Sequence, residues 1–108
     1  MNRSFSIIIV GCAFSACAEL PDVSKVCQQM CTTATALYGD CLESWGVGWS
    51  DGGFDNAADH QETCEVWSWE IAELHGRGVS DQLCEDRAEV LRNGECNDYT
   101  DIDWNETP

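Results

Sequence analysis

The stretch VSKVCQQMCTTATALYGDCLESW, running from Val23 to Trp45, decides the fold. Its apolar and cysteine residues, Val23, Val26, Cys27, Met30, Cys31, Ala34, Leu37, Tyr38, Cys41, Leu42 and Trp45, recur at intervals of three and four. That spacing sets them on one stripe of an α-helix. The stripe passes through Gly39, although an interior glycine costs a helix about 1 kcal/mol relative to alanine. Because Cys27, Cys31 and Cys41 ride on the stripe, the apolar face is also a face that can be cross-linked to whatever packs against it. Asp22, following Pro21, marks the expected start.

Downstream, Gly46 to Phe54 is glycine-rich and reads as a loop. A second helix is expected from Asp59, where Asp59 and Glu62 have capping-box spacing, with Cys64, Trp67, Ile71 and Leu74 as its stripe. Val66 and Trp69 form a second apolar edge on the same helix. Gly76 and Gly78 end it, and Ser80 is placed to cap a third helix carrying Leu83, Cys84, Ala88 and Leu91, which Asn93-Gly94 terminates. Residues 97–108 read as an acidic tail with Tyr99 and Trp104 as aromatic anchors. The expected fold is all-α: a small, up-down-up, disulfide-stapled three-helix bundle with an acidic C-terminal tail.

Upstream, Arg3 supplies a positive start, Phe5 to Ala16 an apolar run, and Ala16-Cys17-Ala18 a small-residue cleavage site, the pattern of a signal peptide. The run falls short of the roughly 20 apolar residues that a permanent transmembrane helix needs. Phe14-Ser15-Ala16-Cys17 resembles the lipobox of bacterial lipoproteins, with Phe14 where that family usually has leucine. The resemblance implies cleavage before Cys17 and lipidation of Cys17. Ordinary cleavage after Ala18 is the other ending. Residues 1–17 are thus expected as signal peptide and residues 18–108 as one Cys-rich helical domain, exported to the cell envelope or secreted.

Either ending leaves six cysteines, Cys27, Cys31, Cys41, Cys64, Cys84 and Cys96, an even set suited to an oxidising compartment. Processing at Cys12 would leave an odd number. A domain of about 90 residues has a marginal core, and three disulfides can each stabilise it by roughly 2–4 kcal/mol. No Cys-x-x-Cys pair suggests redox chemistry. Matching heights along three straight helices, at about 1.5 Å per residue, predicts the pairs Cys27–Cys84, Cys31–Cys96 and Cys41–Cys64.

With 20 acidic against 5 basic residues, the formal net charge is −15. Such a field repels phosphate backbones and anionic membranes, so nucleic acid is excluded and a membrane is reached only through a lipid anchor. Asp51, Asp55, Asp59 and Glu62 fall at the first, fifth, ninth and twelfth positions of an EF-hand-like loop, which makes calcium the candidate metal; no other cofactor is expected. His60 and His75 are the two histidines, and neither joins a Ser-His-Asp or His-x-x-x-His spacing, which weighs against an enzyme. Trp49 and Trp69 are the candidate binding patch for a protein or carbohydrate partner. The function expected is that of an exported, lipid-anchored helical module acting as a binding or envelope component. The alternative is a small secreted enzyme or calcium-binding protein using the acidic Asp51–Glu62 loop.

Overall fold

The computed structural model describes residues 23–105; the signal peptide, Cys12, Cys17 with its lipobox-like segment, and residues 106–108 lie outside the described residues. Ser24 opens α1, Lys25–Trp45, accepting from the Cys27 amide at 3.3 Å and so satisfying one of the unpaired N–H groups that every helix start leaves. The apolar stripe runs to the end of the helix as its spacing requires, burying Cys27, Met30, Cys31, Ala34, Cys41 and Leu42. Gly39 has a packing reason to lack a side chain. The Trp49 indole lies 3.1 Å from where its Cβ would sit, so the ring rests on the bare helix backbone.

That ring belongs to a short 3-10 turn, Trp49–Gly52, in which the Asp51 carboxylate accepts from the Gly48 amide at 2.8 Å. The loop therefore doubles back along α1, from Trp45 at its end to the level of Tyr38 and Gly39. Only then does α2, Ala57–His75, begin. Its cap is Asn56 rather than Asp59, the Asn56 side-chain oxygen accepting from the Asp59 amide at 2.8 Å. A single residue, Gly76, joins α2 to α3, Arg77–Arg92, with φ 101° and ψ 153°, a conformation open essentially to glycine alone. Ser80, expected as the cap of α3, is instead buried inside it, and its hydroxyl donates to the Ser68 carbonyl of α2 at 3.0 Å. Leu74, expected on the buried stripe, is 75% exposed. The one-residue turn leaves no chain to cover it.

The C-terminal region is more ordered than the acidic tail expected of it. A fourth helix, α4, Cys96–Thr100, follows Asn93-Gly94, and the chain then returns along α2, where the Trp67 indole N–H donates to the Trp104 carbonyl at 2.7 Å. Tyr99 and Trp104 are both packed against the core, the anchors the sequence suggested. The described residues are helical without strands, and no described helix is long and apolar enough to cross a membrane.

Among the described residues, each disulfide has one end on α1: Cys27–Cys84, Cys31–Cys64 and Cys41–Cys96, with Cα separations of 5.1, 5.6 and 5.8 Å. The stapled all-α bundle is as expected, and so is Cys27–Cys84. The expected Cys41–Cys64 and Cys31–Cys96 pairs are not formed. Height matching put the start of α2 beside the end of α1; the fold-back of residues 46–56 lowers α2 instead, so that Cys64 meets Cys31. The short connection Asn93–Glu95 after α3 then carries Cys96 to Cys41, which the lowered α2 leaves open. Six paired cysteines are what an oxidising, extracellular compartment permits.

Candidate functional site: an aromatic cleft

The cleft between α2 and the C-terminal return is built on Tyr38. This residue sits one turn before Cys41 on α1, and Tyr99 sits three residues after Cys96 on α4. Residues three apart on a helix share a face, so the Cys41–Cys96 bond brings the two tyrosines together. Their rings stack at 4.5 Å with an interplanar angle of 14°. Around Tyr38 the fold-back loop and α2 place three more rings, Trp49 at 5.7 Å and Phe54 at 6.2 Å edge-on and His60 stacked at 5.3 Å.

His60 is the polar centre of this cluster and is buried at 3% exposure. Its Nδ1 lies 2.7 Å from the Thr35 hydroxyl and its Nε2 lies 2.7 Å from the Tyr99 hydroxyl. In the neutral ring one nitrogen donates and the other accepts, and a hydroxyl can serve either, so both ring nitrogens are satisfied. Burial lowers the His60 pKa below its ordinary 6.5, opposed by the nearby Asp59 carboxylate. Burial, and secondarily Tyr38, pushes the Tyr99 hydroxyl up to about 12. At neutral pH the pair is therefore uncharged, a hydrogen-bonded couple within an aromatic wall.

Below it the cleft opens into a cavity of about 250 Å³ lined by Phe54, His60, Thr63, Cys64, Trp67, Tyr99, Trp104 and Asn105. Thr63 is exposed at its rim, and its hydroxyl donates to the Asp59 carbonyl of its own helix at 2.8 Å. The far wall is the Trp67–Trp104 pair, T-shaped at 5.1 Å. Behind that wall the Arg87 guanidinium stands 5.0 Å from the Trp67 ring and 5.3 Å from the Trp104 ring and donates to the Asp103 carbonyl at 3.3 Å. The arginine thus holds the returning chain through two ring faces and a backbone oxygen, a cation–π arrangement.

The site residues expected from sequence fare differently. Cys27, Cys31, Cys41, Cys64, Cys84 and Cys96 are all in disulfides, and no described cysteine is free. Asp51, Asp55, Asp59 and Glu62 are not gathered into a calcium loop. Among the described residues no group of three or more His, Cys, Asp or Glu is disposed to hold a metal. The local reason is that Asp51 closes the 3-10 turn, while the Asp59 carboxylate accepts from the Asp55 amide at 2.9 Å. Nor do Trp49 and Trp69 form one patch. Trp49 belongs to the Tyr38 cluster, whereas Trp69 lies near the other end of α2, lining a shallow hollow with Val23, Ser24 and Arg77. His75 is exposed at the end of α2.

The residues that make the cleft, Tyr38, Phe54, His60, Tyr99 and Trp104, were each visible in the sequence, but only as a stripe member, a loop residue, a histidine or a tail anchor. The signal that could have joined them is the spacing of Tyr38 and Tyr99 from their cysteines, and it speaks only once the cysteines are correctly paired. Comparison of the chain with protein-family models, curated proteins and solved structures found no match.

Proposed function

We propose that this protein is an exported binding module, lipid-anchored through Cys17 at the cell envelope, that takes a small ligand in the aromatic cleft between α2 and the C-terminal return. The observation that carries the binding reading is the cavity of about 250 Å³ with aromatic walls in a domain of this size. Pockets of this kind, apolar with a few convergent polar groups, are where small domains bind ligands. The disulfides support the reading, because Cys31–Cys64 fixes the α2 wall and Cys41–Cys96 fixes the root of the return. A wall held in place loses little freedom when a ligand arrives. Both His60 nitrogens are already engaged, which favours a structural and recognition role for the histidine over proton transfer.

Two measurements test the two halves of the reading. Titration of the oxidised, 15N-labelled protein with a library of small fragments, followed by NMR, should give shifts clustered on Phe54, His60, Thr63, Trp67 and Tyr99; shifts scattered over the surface would remove the cleft as the site. The intact mass of the natively processed protein should correspond to a chain beginning at Cys17 with lipid attached. A mass matching an unmodified chain beginning at Glu19 would end the anchored reading and leave a free, secreted domain.

A further inference from the structure

Resting on the cleft as the binding site, we infer that its ligand is a neutral, flat, bicyclic aromatic molecule carrying one O–H or N–H donor. Size sets the first limit. A dry apolar cavity of about 150 Å³ accepts benzene, so the cavity of about 250 Å³ here has room for two fused rings. Shape sets the second: Phe54, Trp67, Tyr99 and Trp104 present ring faces and edges, which pair with another aromatic ring in stacked or T-shaped geometry better than with a flexible chain.

Charge decides the rest. None of the lining side chains is ionised at neutral pH, since burial keeps His60 neutral and Cys64 is in a disulfide. A ligand anion would meet no cation in the lining and the field of a chain of net charge −15. A ligand cation would be drawn to that field, yet the Trp67 and Trp104 rings already carry the Arg87 guanidinium at 5.0 and 5.3 Å from behind the wall. A second cation on the same ring pair would face a like charge and lacks a carboxylate in the lining. What remains is a neutral ring system. The polar anchor set among the ring walls is the Tyr99 hydroxyl, held 2.7 Å from His60 Nε2, whereas Thr63 and Asn105 lie exposed at the rim. With its proton given to the histidine, its oxygen keeps lone pairs to accept from the ligand.

The test is calorimetric titration of the oxidised protein with four probes: 2-naphthol, naphthalene-2-sulfonate, a naphthyltrimethylammonium salt and 1-octanol. The same titrations are run on Thr63→Phe, which fills the rim from an exposed position, and on Asn105→Trp, which fills it from the return. The two variants guard against one failing to fold, which circular dichroism would report. The expected result is 1:1 binding of 2-naphthol, weakened at least tenfold by either filling variant and severalfold by Tyr99→Phe, with both charged probes at least tenfold weaker. Equal binding of a charged naphthyl probe overturns the neutrality of the ligand. Binding of 1-octanol as tight as that of 2-naphthol, and equally sensitive to Thr63→Phe, overturns the aromatic class while leaving the cleft as the site. No probe responding to either filling variant overturns the inference and the cleft together.

Discussion

At the scale of the residue, His60 couples the aromatic cluster to pH. Its folded pKa is lowered by burial, with Asp59 opposing, so below about pH 6.5 the unfolded chain takes up a proton that the folded chain refuses. Its contribution to stability is whole above the unfolded value and is lost as pH falls from there through the lowered folded value. The melting temperature should therefore drop between about pH 7 and about pH 5.5, a window above most carboxylate titration. His60→Gln should be less stable throughout, by about 1–3 kcal/mol, because Thr35 and Tyr99 lose a buried partner, but flatter across that window. Parallel curves for the two proteins would remove His60 as the cause. A second residue-level expectation concerns Tyr99. In Tyr38→Phe it is the sole tyrosine left of two, and ultraviolet titration should still place its ionisation well above 10, since burial is the larger cause of its rise to about 12.

At the scale of the element, two connections decide how the helices sit. Gly76 turns the chain from α2 into α3 in one residue, and its φ of 101° and ψ of 153° admit no side chain without strain. Gly76→Ala should destabilise the domain by about 1–3 kcal/mol, measured by denaturant unfolding; an unchanged midpoint would mean that the turn relaxes freely. The second connection is Cys41–Cys96, which roots α4 and the return. The Cys41→Ser, Cys96→Ser double variant should lose roughly 2–4 kcal/mol together with much of the near-ultraviolet dichroism, because the Tyr38–Tyr99 stack depends on that bond. Helix signal should largely survive, as Cys27–Cys84 and Cys31–Cys64 still tie α2 and α3 to α1. Nearly complete loss of helix would show that the return, rather than α1, is the organising element.

For the molecule as a whole, charge and cross-links act against each other. A net charge of −15 repels itself in the compact state, and salt screens that repulsion over a Debye length of about 10 Å at 0.1 M. The melting temperature should rise with sodium chloride between low and moderate ionic strength; a fall would mean that attractive pairs outweigh the general repulsion. The disulfides oppose the repulsion from inside. Cys27, Cys31, Cys41 and Cys84 are at most 1% exposed, so reductant must await an opening of the fold. Once reduced, the chain should lose its helix signal cooperatively, because the core of a domain this small is marginal without cross-links.

The three long helices, the glycine-rich loop and the chemistry of the cysteines were legible along the chain, since these follow from interactions between near neighbours, whereas the short helix α4 was read only as part of an acidic tail. The spacing of Cys27, Met30, Cys31 and Ala34 makes one face whatever lies opposite, and Asn93-Gly94 ends α3 without help from the rest of the fold. Where helix limits shifted, a nearby group competed: Asn56 took the cap expected of Asp59, and the bend at Gly76 began α3 before Ser80. Which cysteines meet, and where the cleft lies, follows from the packing of distant parts of the chain. Both turn on a non-local event, the folding of Trp49 onto Gly39, which lowers α2 along α1, sets Cys64 beside Cys31 and frees Cys41 for Cys96. The register between helices depends on how one large ring fits one bare patch of backbone, and no periodicity along the chain records that fit.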